Sequence, residues 1–314
     1  MKFFQIIRVF LFNYLFYTNF VIYYTYTKYI CLITLYKIYY LYKIIYLVCI
    51  NTCVGCNVNN KEVISKNQIA WDKKVENSNK WSIPVTKEEI DKARSGTFNI
   101  KLTATKNVPR NWFHDDLKNK KILCLACGGG QQGPLLAAAG AIVTVFDISK
   151  SQLKQDEKVA RENNLMISMV QGDMTHLECF KDNYFDLVFC PVSVTYIPDV
   201  ISVFKESYRV LKTGGRFLFG SVNPLIYLFD NKKYDKGLFE VVNKLPFNSL
   251  DELNEKDKVE FINNKEAIEF SHTLQDLIGG QTMVGFNIQD FFEDIDEDKI
   301  CNYTAKYFAT KAVK

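Results

Sequence analysis

Residues 128–133 carry a glycine-rich loop between two runs of contrasting composition. The loop follows the apolar run KKILCLA and precedes the small-residue run PLLAAAG. Its spacing, G-x-G-x-x-G, is typical of a turn that joins a strand to a helix and lets the backbone approach a ligand closely. The next run, AIVTVFD, has the composition of a strand. These segments predict a βαβ unit, and so a parallel sheet with its ligand at the carboxyl ends of the strands.

The alternation of strand and helix continues beyond this unit. A helix is predicted over SQLKQDEKVARENN, with Ser149 or Ser151 as its N-cap. Further strands are predicted over MISMVQGD, YFDLVFC and GGRFLFGSV, and a further helix over DVISVFKESYRVL. The last two strands, at about 286–294 and 304–312, are separated by a short turn, so they should pair antiparallel. We therefore expect an α/β fold with helices on both faces of a mostly parallel sheet.

Residues 1–60 differ from the rest of the chain. They contain five basic residues and no acidic residue, and the nineteen residues from Val9 to Thr27 are uncharged. Nineteen such residues can cross the ~30 Å hydrocarbon core of a bilayer, so this hydrophobic N-terminal extension is a candidate single transmembrane anchor. The same composition is expected from AT-rich upstream DNA translated from a mis-assigned start. The sequence leaves both explanations open, and membrane contact is expected only if the segment is translated and inserted.

Residues 61–314 read as one domain with nearly balanced charge. The whole chain has 39 basic and 35 acidic residues, so this part holds 34 basic and 35 acidic residues. It lacks the excess of basic residues that binding to a phosphate backbone requires, which makes nucleic acid an unexpected partner. The nine cysteines are scattered and odd in number, which indicates reduced thiols and a cytoplasmic setting for the domain. The pair Cys124/Cys127 has zinc-like spacing but lies on a buried strand, so we expect no metal.

The glycine loop alone does not identify its ligand. Asp147 lies nineteen residues after Gly128, at the end of the second strand, where its carboxylate can accept hydrogen bonds from ribose hydroxyls. Both NAD and S-adenosylmethionine contain such a ribose. Three functions are consistent with these residues: a methyltransferase, an NAD(P)-dependent oxidoreductase, and a non-catalytic cofactor-binding module.

The order of the later motifs favours the first function. QGDM ends the third strand, NYFDLVF introduces the fourth, YRVLKTGGRFLF follows, and an antiparallel pair closes the sheet. In these motifs the chain resembles the class I S-adenosylmethionine-dependent methyltransferases, in particular the type 11 small-molecule group, from about Ile122 to the C-terminus. The resemblance implies a Rossmann-like, doubly wound sheet of seven strands with the last strand antiparallel, and transfer of a methyl group to a small-molecule acceptor.

The resemblance also assigns the cofactor site. It implies that the methionine part of S-adenosylmethionine faces the glycine loop, that Asp147 binds the ribose, and that Asp173 and Met174 contact the adenine. The implied cofactor-binding residues are Ala126, Cys127, Gly128, Gly129, Gly130, Asp147, Ile148, Asp173, Met174 and Cys190. Cys124 and Ala126 depart from the family, which usually has an acidic residue and a glycine at these positions.

The acceptor site is less well defined by the sequence. Residues 223–270 interrupt the strand–helix rhythm and are expected to form a substrate cap over the carboxyl ends of the strands. Ser193, Tyr196 and His272 are weak candidates for catalytic groups, although a cap or surface position for His272 is the alternative. The three tryptophans are candidates for an aromatic wall or for ordinary packing: Trp71, Trp81 and Trp112. The oligomeric state and the acceptor atom are left open.

Overall fold

One sheet organises the part of the chain that the structure describes. The structure is a computed structural model and describes residues 60–251, 253 and 255–314. The strands of these residues are β1 (Lys121–Leu125), β2 (Ile142–Asp147), β3 (Ile167–Gln171), β4 (Phe185–Cys190), β5 (Leu211–Val222), β6 (Asn287–Asp294) and β7 (Tyr307–Val313). Their order in the sheet is β3-β2-β1-β4-β5-β7-β6. The first five strands are parallel, and β7 is antiparallel to both of its neighbours. The predicted fold class is confirmed.

Helices cover both faces of this sheet. They are α1 (Asn60–Glu76), α2 (Lys87–Arg94), α3 (Gln132–Ala138), α4 (Lys150–Glu162), α5 (Val200–Val210), α6 (Asn231–Tyr234), α7 (Glu255–Asn263) and α8 (Gly280–Val284), which follows a π-helical turn (Gln275–Gly279). Successive residues of β1 point to opposite faces. Ile122 accordingly packs in a core with residues of α2, α3 and α4, whereas Leu123 packs with residues of α5.

Local sequence signals fix several of the helix ends. Ser149 accepts a hydrogen bond from the Gln152 backbone and is the N-cap of α4, so of the two predicted candidates Ser149 is confirmed and Ser151 is not. Thr86 and Glu89 form a reciprocal capping box at the start of α2. Gly285 ends α8 with φ at 117°, a left-handed conformation that favours glycine.

The segment before β1 crosses into the core. Trp112 and Phe113, in the loop TKNVPRNWF, are fully buried. A buried carboxylate, Asp294, fixes the beginning of this segment, because it accepts hydrogen bonds from the Thr103 and Thr105 hydroxyls at 2.6 Å each and from the Lys106 backbone at 2.9 Å. Burial alone would raise the pKa of Asp294, but these hydrogen bonds outweigh it and lower the pKa to about 2.

Two further expectations bear on the rest of the chain. The candidate anchor, Val9–Thr27, lies outside the described residues, and within residues 60–251, 253 and 255–314 no helix has the length and apolarity to cross a bilayer. The cysteines of that same region are all free thiols.

Candidate active site

The glycine loop joins β1 to α3 in an unusual backbone conformation. Ala126, Gly129 and Gly130 all have positive φ, at 48°, 115° and 73°. The Ala126 N–H donates to the Phe146 carbonyl at 2.7 Å, which ties the start of the loop to β2. The left-handed conformation costs a residue with a Cβ atom about 1–2 kcal/mol. Ala126 therefore occupies a position that physically favours glycine, which is also the residue that the resemblance implies there.

Asp147 ends β2 and lies beside the loop. Its Oδ2 atom accepts from the Gly128 N–H at 2.8 Å, and its Oδ1 atom accepts from the Ser149 N–H at 2.9 Å. The side chain is 9% exposed, and burial raises the pKa of Asp147 to about 6. An ionised carboxylate has about four acceptor positions. Asp147 can therefore hold the loop and still accept hydrogen bonds from a ligand.

Asp156 is a second carboxylate at the loop, and the sequence analysis missed it. Its Oδ2 atom accepts from the Gly129 N–H at 3.0 Å and from the Gly130 N–H at 3.1 Å. Its Oδ1 atom is buried and has no hydrogen-bond partner among the described residues. Burial raises the pKa of Asp156 to about 7. The available signal was its helical spacing from the apolar residues Leu153 and Val159, which places it on the buried face of α4.

The chain between α1 and α2 packs against the other side of the loop. The Val85 N–H donates to the Gly130 carbonyl at 2.9 Å. The Gln131 amide donates to the carbonyl of Ile83 at 2.9 Å, and the Gln152 amide donates to the Ser82 hydroxyl at 2.7 Å. A Cβ atom at Gly129 would lie 2.9 Å from the Trp81 carbonyl oxygen, so this close approach requires glycine.

The candidate adenine residues follow β3, which is the neighbour of β2. The Asp173 carboxylate accepts from the Thr175 N–H at 3.0 Å and from its hydroxyl at 2.6 Å. Met174 packs, partly buried, against the core on one face of the sheet. Ile148 is also partly exposed, and its carbonyl accepts from the Gln171 amide at 3.0 Å. The structure thus places these residues on adjacent loops at the carboxyl ends of β2 and β3.

Two of the predicted cofactor-binding residues have buried thiols. Cys190 ends β4 with its side chain inside the core, and burial raises the pKa of this thiol to about 12. The Cys127 thiol is also buried and donates to the Gln132 Oε1 atom at 3.3 Å. Cys127 lies in the glycine loop and Cys190 at the end of β4, but both side chains point into the protein.

The turn after β4 contains two of the candidate catalytic residues. The Ser193 hydroxyl is buried and donates to the Pro191 carbonyl at 2.8 Å. Tyr196 keeps partial exposure and meets the Trp71 ring edge-on, with 5.1 Å between ring centroids. Burial, followed by the nearby Glu269 carboxylate, raises the pKa of Tyr196 well above its usual range. Of these two residues, Tyr196 is the one that faces other aromatic and charged side chains.

His272 occupies neither of the alternative positions expected for it, a helix cap or the surface. It is 7% exposed, and its Nε2 atom lies 2.9 Å from the Val194 carbonyl. Thr273, and not His272, caps the following helical turn through the Asp276 N–H. Burial lowers the pKa of His272. A neutral imidazole whose Nε2–H donates to a carbonyl fastens the turn after β4 to the chain beyond residue 270.

The three tryptophans have different environments. Trp112 is fully buried, and its indole N–H donates to Asp290 Oδ2 at 2.7 Å, so it is a packing residue. Trp81 lies beside the glycine loop, with its backbone carbonyl close to Gly129. Trp71, on α1, is the tryptophan that lies against Tyr196.

A cluster of charged and hydroxyl groups surrounds Tyr196. The Lys74 ammonium lies 4.0 Å from the centroid of the Trp71 ring and 5.1 Å from that of Tyr196. The Tyr227 hydroxyl donates to Glu269 Oε2 at 3.1 Å and also shares a hydrogen bond with the Thr195 hydroxyl. Burial lowers the pKa of Lys74 and raises the pKa of Glu269. No local sequence pattern marks this cluster, because its members come from distant segments.

Asn67 of α1 joins the parts of this cluster. Its amide group donates to the Tyr196 carbonyl at 2.7 Å and to the Ile268 carbonyl at 3.0 Å, and its Oδ1 atom accepts from the Ile268 N–H at 2.7 Å. The same helix reaches the loop side of the site, because Asp72 accepts from the Ser149 hydroxyl at 2.6 Å. Helix α1 therefore contacts both the end of β2 and the turn after β4.

Comparison with known proteins bears on the ligand. The family model described as a methyltransferase domain matches residues 123–219. An uncharacterized methyltransferase, YbaJ, of Bacillus subtilis (strain 168) is 42% identical over 252 residues, which are 80% of this chain and 98% of that protein. A ubiquinone biosynthesis O-methyltransferase of Pseudomonas syringae pv. tomato is 31% identical over 123 residues, which are 38% of this chain and 53% of that protein.

A solved structure also shares the fold. The crystal structure of an S-adenosylmethionine-dependent methyltransferase from Mesorhizobium loti matches with a TM-score of 0.50 and 17% identity, covering 65% of this chain and 95% of that chain. At this identity the match is evidence for the fold alone.

Proposed function

The chain belongs to the class I S-adenosylmethionine-dependent methyltransferases, and on that premise we propose that its glycine loop and the carboxyl ends of β1, β2 and β3 hold the cofactor. The loop Ala126–Gly130 receives the methionine part, and Asp147 with Ile148 receives the ribose. Asp173 and Met174 receive the adenine. Cys127 and Cys190 contribute through backbone and shape, since their thiols are buried.

One observation carries this assignment. The Asp147 Oδ2 atom is 2.8 Å from the Gly128 nitrogen, so the candidate ribose ligand and the candidate methionine site are parts of one hydrogen-bonded unit. Asp156 adds a second buried carboxylate at the same loop, with one oxygen unpartnered among the described residues. Two carboxylates beside one loop disfavour an anionic ligand, and a bound cation would in turn favour their ionised forms. This charge suits a sulfonium better than a pyrophosphate.

The reaction needs little covalent chemistry from the protein. When bound, S-adenosylmethionine supplies an electrophilic methyl group on a positively charged sulfur. The chain's own residues orient the acceptor in line with that group and exclude water. Tyr196, on the turn after β4, forms the wall of the acceptor side with Trp71. The buried Ser193 and His272 hold that turn in place through carbonyl hydrogen bonds.

Residues 223–270 form the cap over the acceptor in this proposal. The Phe270 N–H donates to the Thr195 carbonyl at 2.7 Å, and Tyr227 reaches the Thr195 hydroxyl. Both ends of the segment are thus attached to the turn where Tyr196 lies. A small molecule enclosed between α1, this turn and the cap would be shielded from water.

The competing functions make different predictions. An NAD(P)-dependent oxidoreductase, the second function suggested by the glycine spacing, would bind NADH at the loop, and the methyltransferase relatives argue against it. A non-catalytic module would bind S-adenosylmethionine without turnover. Product formation therefore separates the module from the enzyme, whereas cofactor affinity does not.

The test uses the full chain and the variant Asp147→Asn. We expect the variant to bind S-adenosylhomocysteine about 10- to 100-fold more weakly, the loss expected for hydrogen bonds to a charged group. Glu157→Gln, an exposed change of the same type on α4, is the control and should bind normally. Unchanged affinity of a folded Asp147→Asn protein would remove Asp147 from the site.

A further inference from the structure

If the proposed function holds, the cluster around Glu269 lies on the acceptor side, because it surrounds Tyr196 on the turn after β4. Its members come from four parts of the chain that converge at the end of β4: Trp71 and Lys74 from α1, Thr195 and Tyr196 from the turn after β4, Tyr227 from the 3₁₀ turn after β5, and Glu269 from the end of the cap. Asn67 locks two of these parts together through three hydrogen bonds. The cluster is therefore a built site and not a set of independent surface residues.

The walls of this site are aromatic. Trp71 and Tyr196 meet edge-on at 5.1 Å, and Tyr227 stacks on Phe247 with 5.6 Å between centroids and an interplanar angle of 24°. Trp71 and Tyr196 both keep partial exposure, so part of each surface remains available for contact. Rigid aromatic surfaces of this kind select flat, apolar ligands.

The polar groups of the site are complementary in charge. Among the described residues, Tyr227 is the one side chain that donates a hydrogen bond to the Glu269 carboxylate, at 3.1 Å. Glu269 is half-buried. Lys74 on α1 and Lys306, which precedes β7, both attract the Glu269 carboxylate electrostatically. One carboxylate oxygen is thus available to receive a proton while an ammonium group lies across the same site.

We propose that this chain methylates an oxygen atom of a flat aromatic acceptor that carries an ionisable hydroxyl group, with Glu269 as the residue that receives the hydroxyl proton. The acceptor O–H bond breaks and its proton passes to the Glu269 carboxylate. The oxygen electron pair forms the new bond to the methyl carbon. The sulfur–methyl bond breaks with its electron pair left on sulfur, and S-adenosylhomocysteine is released. Lys74 faces the oxygen as negative charge develops on it.

A hydroxyl acceptor fits these residues better than an amine. A hydroxyl must lose its proton at attack, which requires a base, whereas a neutral amine can attack first and lose its proton afterwards. A carboxylate opposite an amine would favour the protonated ammonium, which has no electron pair to donate. Burial raises the pKa of Glu269, which moves this carboxyl towards the range in which a base is effective.

The test compares two acceptors that share a naphthalene ring and differ in the nucleophilic group. The full chain is incubated with S-adenosylmethionine labelled in its methyl group and with either 2-naphthol or 2-naphthylmethylamine. We expect labelled methyl ether from 2-naphthol at a rate at least tenfold above that of the amine. Preference for the amine, or transfer to neither compound, would overturn the proposal. Titration of the same sample with S-adenosylhomocysteine distinguishes failure of the acceptor proposal from failure of the proposed function. Normal binding without methyl transfer rejects only the acceptor class. Absence of binding rejects the proposed function.

Variants then test the role of Glu269. We expect Glu269→Gln to lower kcat for 2-naphthol by about 100-fold or more, the range for loss of a general base, and to abolish the acidic limb of the pH–rate profile. Glu266→Gln, an exposed change three residues earlier, should keep the wild-type rate and profile. Tyr227→Phe, which removes the hydrogen bond to Glu269, should shift the acidic limb without abolishing it. A wild-type profile in both Glu269→Gln and Tyr227→Phe would exclude Glu269 as the proton acceptor.

Discussion

Asp156 should make the stability of the protein depend on pH, because its carboxyl group is buried beside two glycine amides. Its Oδ2 atom accepts two backbone hydrogen bonds, and its Oδ1 atom is buried without a partner among the described residues. Burial raises the pKa of Asp156 to about 7 from its ordinary value of 3.8. Between these two pH values the folded protein binds a proton that the unfolded chain does not. The free energy of unfolding should therefore fall as pH rises through this window.

The size of the effect follows from the shift. Each pH unit between the unfolded and the folded pKa changes the free energy of unfolding by about 1.4 kcal/mol. The two units between pH 5 and the folded pKa of Asp156 therefore change it by up to about 3 kcal/mol. Asp156→Asn keeps an oxygen for the loop amides and removes the ionisation. We expect wild-type protein to lose up to about 3 kcal/mol more stability between pH 5 and pH 8 than this variant does.

Urea unfolding of the full chain at pH 5, 6, 7 and 8 measures this difference. Glu157→Gln, an exposed neighbour on α4, makes the same change of charge without burial and should follow the wild-type curve. Asp147 interacts electrostatically with Asp156. Because Asp147 is present in all three proteins, the part of its contribution that is independent of Asp156 cancels. Parallel curves for wild type and Asp156→Asn would refute the account of Asp156 as a buried group with a raised pKa.

Three further changes have defined outcomes. Asp294→Asn should remove a loss of stability of up to about 2 kcal/mol that wild type shows between pH 4 and pH 2, because a lowered pKa of about 2 makes the ionised form stabilising above that range. Acid unfolding followed by circular dichroism measures this loss. Asn67→Ala should lower the free energy of unfolding by about 2–4 kcal/mol, since it leaves buried backbone groups of Tyr196 and Ile268 without partners. Urea unfolding measures this loss, and a loss below about 1 kcal/mol would contradict the prediction. Ala126→Gly should raise the free energy of unfolding by up to about 1 kcal/mol. The variant relieves about 1–2 kcal/mol of left-handed strain, which exceeds the cost of the added entropy of glycine in the unfolded chain. A lower melting temperature would contradict this.

The sequence predicts those parts of the fold that depend on local signals. The glycine turn, the Ser149 cap and the antiparallel terminal strands all follow from residues within a few positions of each other. The parallel direction of the first five strands also follows, because strands alternate with helices. Each of these features is present in the structure.

The acceptor side could not be predicted in this way. Asn67 contacts Tyr196 and Ile268, which are 129 and 201 residues away in the sequence, and no local pattern marks such a pairing. Glu269 lies in a charged segment where one carboxylate resembles the next. His272 was misplaced for a related reason, since its burial depends on the turn after β4 and not on its own neighbours. Asp156, at the glycine loop, was also missed, although its helical spacing from Leu153 and Val159 places it on the buried face of α4.

The most direct measurement is a pair of calorimetric titrations of the full chain, one with S-adenosylhomocysteine and one with NADH. Our account predicts one-to-one binding of S-adenosylhomocysteine, weakened in Asp147→Asn, and no heat of binding for NADH. Binding of NADH alone would contradict the assignment of the glycine loop to S-adenosylmethionine, and the absence of binding by either compound would contradict the proposed cofactor site.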